Sequence, residues 1–127
     1  MAVQARGIDF ILVSVSDVER ARKFYGETLG LKAASEWPPS WYEFEAGTST
    51  IAIGKPPENA PQPPYNESGV TFALAVADAK GAMEELKRKG VEVRMDVSES
   101  SVCFMGLIAD PDGNQIWLHQ RKDGTAG

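Results

Sequence analysis

The chain holds a single cysteine, a single histidine and fewer basic than acidic residues, and each scarcity excludes something. Cys103 alone can build neither an internal disulfide framework nor a cysteine-cluster zinc site, and such sparing use of cysteine fits a reducing compartment. As a small apolar residue in a strand-like stretch, it reads as a packing residue more readily than as a reactive thiol. With 13 Lys and Arg against 18 Asp and Glu, the net charge is -5. Nucleic-acid binding needs clustered cations, so that class is set aside, and a cationic small ligand is favoured instead. Long apolar runs are also missing. The longest, Ile8 to Val15, is far too short to cross a bilayer, and no basic stretch leads into an apolar core and cleavage site at the N-terminus. The expectation is a cytoplasmic protein with no membrane partner.

What is present is an ordinary globular composition, 43% hydrophobic and 24% charged over 127 residues, enough for one packed domain or two small units sharing a core. The chain also repeats itself. Phe10-Ile-Leu-Val-Ser-Val-Ser-Asp17 overlays Thr71-Phe-Ala-Leu-Ala-Val-Ala-Asp78 at an offset of 61 residues, each an alternating strand closed by an aspartate. A helical stretch follows each, Val18 to Leu29 and Ala79 to Lys89. Ala21, Phe24 and Tyr25 mark the apolar stripe of the first, and Ala82, Met83 and Leu86 that of the second. The aspartates suit the helix start, where a side-chain oxygen accepts from free backbone N–H groups, and Ser16 with Glu19 has the form of a capping box. Gly30 and Gly90 suit the left-handed position that ends a helix.

Three short strands are predicted after each helix. In the first half they are Lys32 to Trp37, Trp41 to Ala46 and Thr50 to Gly54. In the second half they are Val91 to Val97, Val102 to Ala109 and Gln115 to Gln120. Pro38-Pro39-Ser40 and Ala46-Gly47-Thr48 separate the first set, and Asp110-Pro-Asp-Gly113 has the chemistry of a hairpin turn. Residues 57–68, in a stretch rich in proline and polar side chains, read as a linker between a first module at 1–56 and a second at 69–120, within one structural domain. Residues 121–127 read as a flexible tail.

The run Val15-Ser-Asp-Val-Glu-Arg-Ala-Arg-Lys-Phe-Tyr-Gly-Glu-Thr-Leu-Gly-Leu31 and the run Asp110-Pro-Asp-Gly-Asn-Gln-Ile-Trp-Leu-His-Gln120 resemble two signatures of the vicinal oxygen chelate superfamily. That is the family of glyoxalase I, the bleomycin resistance proteins and the extradiol dioxygenases. The resemblance covers nearly the whole chain. It implies an α+β fold in which two tandem βαβββ modules form curled mixed sheets around a cleft, and it implies a homodimer. Strand alternation assigns the faces independently. Ile11, Val13, Val15, Ile51, Ile53, Phe72, Leu74, Val76, Ile116 and Leu118 are uniformly bulky and apolar, and belong under the helices. The opposite parity, which includes Phe10, Leu12, Glu43, Glu45, Ala52, Thr71, Ala73, Trp117 and His119, mixes small, polar and aromatic types, as a binding surface does.

Metal-dependent members of that family resemble one another in four inward-facing ligands, and the matching positions here are Phe10, about Ala52, Thr71 and Trp117. A transition metal wants three or four N, O or S donors, and this set does not supply them. The expectation is therefore no metal, no cofactor and no catalytic residue assigned. His119, two residues beyond Trp117 on the same strand face, reads as a partly exposed polar residue or as a lone ligand with Glu43 or Glu45 beside it. Asp110 and Asp112 lack the rest of a calcium loop, and the turn accounts for them. Glu43 and Glu45 alternate with Tyr42 and Phe44, which suits a ligand site or a solvated strand. Trp41, beside the proline turn, suits a ligand wall, a rim or a dimer contact.

Three functions compete on these residues. The leading one is a metal-independent small-molecule binding protein, similar to the bleomycin resistance proteins, with Phe10, Trp41 and Trp117 stacking against a planar cationic ligand and Glu43 and Glu45 adding negative charge. The second is a glyoxalase-like lyase, isomerase or dioxygenase-related enzyme with relocated metal ligands, or a metal-free catalyst using His119 with Glu43, Glu45 or Arg94. The third is an accessory protein in which Phe10 and Trp117 fill the cleft.

Overall fold

The structure is a computed structural model, and it describes residue 4 and residues 9–55 and 71–125. The expected linker at 57–68, the start of the Ile8–Val15 run and the last two residues lie outside the described residues. The first module runs β1 (Ile11–Ser14), α1 (Val18–Lys23), β2 (Lys32–Trp37), β3 (Trp41–Ala46) and β4 (Ser49–Gly54). The second runs β5 (Phe72–Ala75), α2 (Ala79–Arg88), β6 (Glu92–Glu99), β7 (Cys103–Ala109) and β8 (Gln115–Arg121). Each builds a four-stranded mixed sheet of the same order, β1-β4-β3-β2 and β5-β8-β7-β6, in which the first strand lies parallel to the last.

Helix starts and stops follow local chemistry. Asp17 accepts from Arg20 N at 3.0 Å and Asp78 from Gly81 N at 3.0 Å, satisfying donors that the first turn leaves free. Gly30 and Gly90 take φ of 74° and 80°, which costs glycine least. The capping box expected of Ser16 and Glu19 does not form. Asp17 does the capping, Glu19 pairs with Arg22, and Ser16 is drawn to the other module.

Two other expectations need correction. The first helix is not regular to Leu29: Phe24–Thr28 forms a π-helical turn after α1. The reason lies in packing, since Phe24 and Tyr25 are both buried and a Cβ on Gly26 would come within 3.1 Å of the Phe44 ring. The tail also begins later than Arg121. That residue is in β8, and Lys122 N donates to Val102 O at 2.9 Å.

The core lies on the helix-covered side of both sheets. Val13, Val15, Phe44, Ile51 and Ile53 from the first module and Met83, Leu86, Ile108, Ile116 and Leu118 from the second belong to one continuous buried cluster. Fully burying side chains of this size stabilises by about 1.5 to 3 kcal/mol each. The register explains why the alternation reads so cleanly: Ile11 pairs with Ile51, Val13 with Ile53, Phe72 with Ile116 and Leu74 with Leu118, all on the helix side.

The modules are also joined by a polar latch. In the β7–β8 turn, Asp110 and Asp112 are buried. Asp110 accepts from Asp112 N (2.9 Å), Asn114 N (2.8 Å), Asn114 Nδ2 (2.8 Å) and Tyr25 OH (2.9 Å). Asp112 accepts from Ser16 N at 3.0 Å and from the Ser16 hydroxyl, with Arg20 Nη2 at 3.3 Å, and Asn114 Nδ2 reaches Ser14 O at 3.3 Å. Buried carboxylates persist only when their lone pairs are met, and here the partners come from both modules.

Candidate functional site

On each sheet, the face turned away from the helices carries the residues that alternation had set apart. Across the first sheet one row reads Ser14, Gly54, Trp41 and Trp37, and the next reads Leu12, Ala52 and Glu43. Across the second, the rows are Ala75, His119, Met105 and Ser98, then Ala73, Trp117, Leu107 and Met95. Leu12, Trp41, Glu43 and Ala52 thus come together on one sheet, and Ala73, Trp117 and His119 on the other. Phe10 and Thr71 stand just before the two first strands, and both are exposed.

Trp41 is held on three sides. Its Nε1 donates to Glu43 Oε2 at 2.9 Å, and its six-membered ring lies over Gly54, where a Cβ would come within 2.8 Å of Cε3. The Phe10 ring meets it edge-on at 5.5 Å and 89°, the favourable quadrupolar arrangement. Trp37, opposite Trp41 in the ladder, keeps 57% of its surface exposed, and Phe10 keeps 46%. Exposure of that order on adjacent large aromatic residues makes this face a candidate binding surface.

Trp37 was not singled out from the sequence, and a bulge is the reason. The β2–β3 register shifts between Ala33 and Glu36, so Glu36 faces Tyr42 and Trp37 joins Trp41, opposite to strict alternation from Lys32. The matching shift between Val93 and Met95 turns Met95, 38% exposed, onto the open face of the second sheet. The available signal was a tryptophan ending an otherwise polar strand against Pro38-Pro39.

The remaining predicted residues divide. Glu45 is exposed and pairs with Lys32 at 3.5 Å, so it is a surface ion pair. Glu43 bonds Trp41 and makes no ion pair among the described residues. Arg94 is engaged by Glu92 at 2.6 Å, and His119, half-buried, has Met105 and Ala75 as its ladder neighbours. The constellation of His119 with Glu43, Glu45 or Arg94 is therefore not assembled among the described residues. Ala52, fully buried, and Trp117 occupy corresponding places on β4 and β8, and neither side chain can hold a metal. Among the described residues no group of three or more His, Cys, Asp or Glu side chains is placed to bind one. The residues present do not fit the metal of the resembled family.

Four cavities lie away from these aromatic rings. A seam of 530 Å³ runs between the first module, at Leu29, Leu31 and Thr48, and the open edge of β5, at Phe72, Leu74 and Val76. Smaller clefts of 410, 330 and 200 Å³ lie near Ser16 and Ser40, near Gln120 and Thr125, and near Tyr42 and Glu27. The rings of Phe10, Trp37, Trp41 and Trp117 line none of these four. The seam is the gap left where two modules meet, whereas the open faces carry the unusual side chains, and the latter are the better site. Among the described residues they are surfaces.

No helix among the described residues is long and apolar enough to cross a membrane. Comparison with known proteins bears on the whole fold. Lactoylglutathione lyase of Escherichia coli O157:H7 is 28% identical over 130 residues, covering 91% of this chain and 93% of that protein. A solved glyoxalase family protein from Bacillus anthracis is 28% identical with a TM-score of 0.73, covering 96% of this chain and 100% of the other. TnmS3, an antibiotic binding protein from Streptomyces sp. CB03234, has the same fold at 23% identity and a TM-score of 0.76, over 95% of this chain and 100% of its own. The family model for the Glyoxalase/Bleomycin resistance protein/Dioxygenase superfamily matches residues 7–118, and this chain belongs to that superfamily.

Proposed function

We propose that the protein is a metal-independent binding protein for a flat small molecule with a positive or amine-bearing edge, of the kind many antibiotics present. The observation that carries the reading is the aromatic shelf of Phe10, Trp37 and Trp41 on the open face of the first sheet, two of its members about half exposed. Stacking on such a shelf, with cation–π contacts of about 0.5 to 2 kcal/mol each, supplies affinity without any metal. The net charge of -5 favours a cationic ligand further, and a relative of the same fold is an antibiotic binding protein.

A second copy of the chain completes the site. Among the described residues nothing covers the shelf, and Trp117 is only partly buried. A homodimer that sets the first sheet of one copy against the second sheet of the other encloses a ligand between them. Sequestration, not turnover, is the function, in keeping with a cytoplasmic location.

The test is a fluorescence and calorimetric titration with planar amines, run beside sedimentation and metal analysis of protein purified without chelator or tag. Tryptophan quenching with saturable binding, a dimer and metal well below one equivalent are expected. Stoichiometric metal, or no response to any planar amine, would sink the reading.

A further inference from the structure

We infer that Glu43 is the specificity-determining residue of this site, holding Trp41 in place with one carboxylate oxygen and selecting a cationic or N–H-bearing ligand edge with the other. This rests on the binding reading above and deepens it.

Glu43 shares its row with Ala52 and Leu12, which offer neither charge nor hydrogen bond. Among the described residues Lys32, opposite Glu45 in the ladder, is committed to that neighbour at 3.5 Å. Arg22 belongs to the helix side, where it pairs with Glu19 and lies over the Tyr42 ring at 5.9 Å. Among the described residues the only polar partner of Glu43 is the neutral indole N–H of Trp41, at 2.9 Å to Oε2. A carboxylate is an acceptor with about four lone-pair sites, so one neutral donor leaves most of its capacity unused. Glu43 is half-buried, so water meets the remainder only in part. A ligand bringing a positive group or an N–H to that edge supplies the missing partner, and such charge-assisted bonds are about twice as strong as neutral ones.

The same bond fixes the shelf. Gly54, Phe10 and the link to Glu43 each hold Trp41 in this orientation. A ring fixed before the ligand arrives loses little entropy on binding. Stacking and charge selection therefore meet in one residue pair two positions apart on β3.

Paired substitutions separate the two roles, because glutamine keeps the acceptor for Trp41 and removes only the charge. The probes are 9-aminoacridine, cationic at neutral pH, and acridone, its neutral planar counterpart, titrated by fluorescence into the full chain. Glu43→Gln is expected to weaken 9-aminoacridine about ten-fold and to leave acridone within about two-fold. Glu43→Ala is expected to weaken both, with lower tryptophan anisotropy reporting a looser ring, while Glu45→Gln changes neither. Thermal unfolding shows whether each variant is folded, and the glutamine variant is close in shape to the original. If wild type binds both probes and Glu43→Gln alters neither affinity, the inference is overturned while the binding reading stands. If wild type binds neither probe, that reading and the inference fall together.

Discussion

The two modules share a plan almost residue for residue and differ in what they attach to it. Strand order, capping aspartate, terminal glycine and even the bulge in the outer strand recur in both. On the open face, however, Gly54, Trp41, Ala52 and Glu43 of the first sheet correspond to His119, Met105, Trp117 and Leu107 of the second. Elsewhere the first helix turns π-helical and sends the buried Tyr25 across to Asp110, whereas α2 stays regular, and the two-residue Gly47-Thr48 turn corresponds to the larger Asp110–Asn114 turn. Helix-side packing is common to both because each sheet must be covered in the same way. The latch is specialised because the second module supplies its carboxylates and the first supplies Ser16, Arg20 and Tyr25, and the shelf because its aromatic residues stand in the first module alone.

The latch should be the easiest difference to break. Asp110→Ala removes the acceptor for four donors and leaves the buried Tyr25 hydroxyl unpaired, a loss of roughly 3 to 5 kcal/mol in urea unfolding. Thr48→Ala in the equivalent turn of the first module should stay within about 0.5 kcal/mol, since that side chain is exposed. Equal losses at the two turns would dissolve the contrast.

Next in size is Gly54→Ala, whose Cβ meets the Trp41 ring at 2.8 Å and Ser40 O at 3.0 Å. An overpacking cost of about 1 to 3 kcal/mol is expected, together with a shift in tryptophan emission. The corresponding His119→Ala, at a half-buried site with no helix over it, should cost less in the same melt and leave Trp41 undisturbed.

Tyr25→Phe should cost about 1 kcal/mol at neutral pH. It has a sharper signature in alkali. Burial, then the charge of Asp110 and its hydrogen bond, hold the phenol well above its ordinary 10.0. The folded chain thus retains a proton that the unfolded chain gives up near pH 10. This contribution is full below that value and is lost as pH climbs through the raised one. Unfolding free energy of the wild type should fall faster above pH 10 than that of Tyr25→Phe, and parallel curves would remove Tyr25 from the latch. Arg22→Ala should make the smallest change: its pair with Glu19 lies on the surface, and no resolvable shift in midpoint is expected.

Much of this was legible in the sequence because it is local. Period-two alternation placed Ile51, Ile53, Ile116 and Leu118 on the helix side, and the aspartate and glycine punctuation bounded both helices. Long-range polar partners were not legible. Ser16 has the chemistry of a helix cap, and nothing within a few positions tells it to bond Asp112, 96 residues away. The site was half legible for a related reason: parity finds Trp41 and Glu43, and a bulge in each sheet reverses it for Trp37 and for Met95. The hydrogen bond from Trp41 to Glu43 could not be read from alternation, which says which side a residue takes and not what it holds.

Those bulges have a consequence for the company the chain keeps. β2 and β6 are outer strands, the places where an unpaired row of backbone donors and acceptors invites a foreign strand to add on. An irregular ladder twists and interrupts that row, so the devices that aim Trp37 and Met95 at the open faces also make these two rims poor templates for aggregation. β1 and β5, at the opposite rims, pair with their neighbours in unbroken register. The molecule is thus guarded along the β2 and β6 rims, while the edge of β5 faces the first module across the seam.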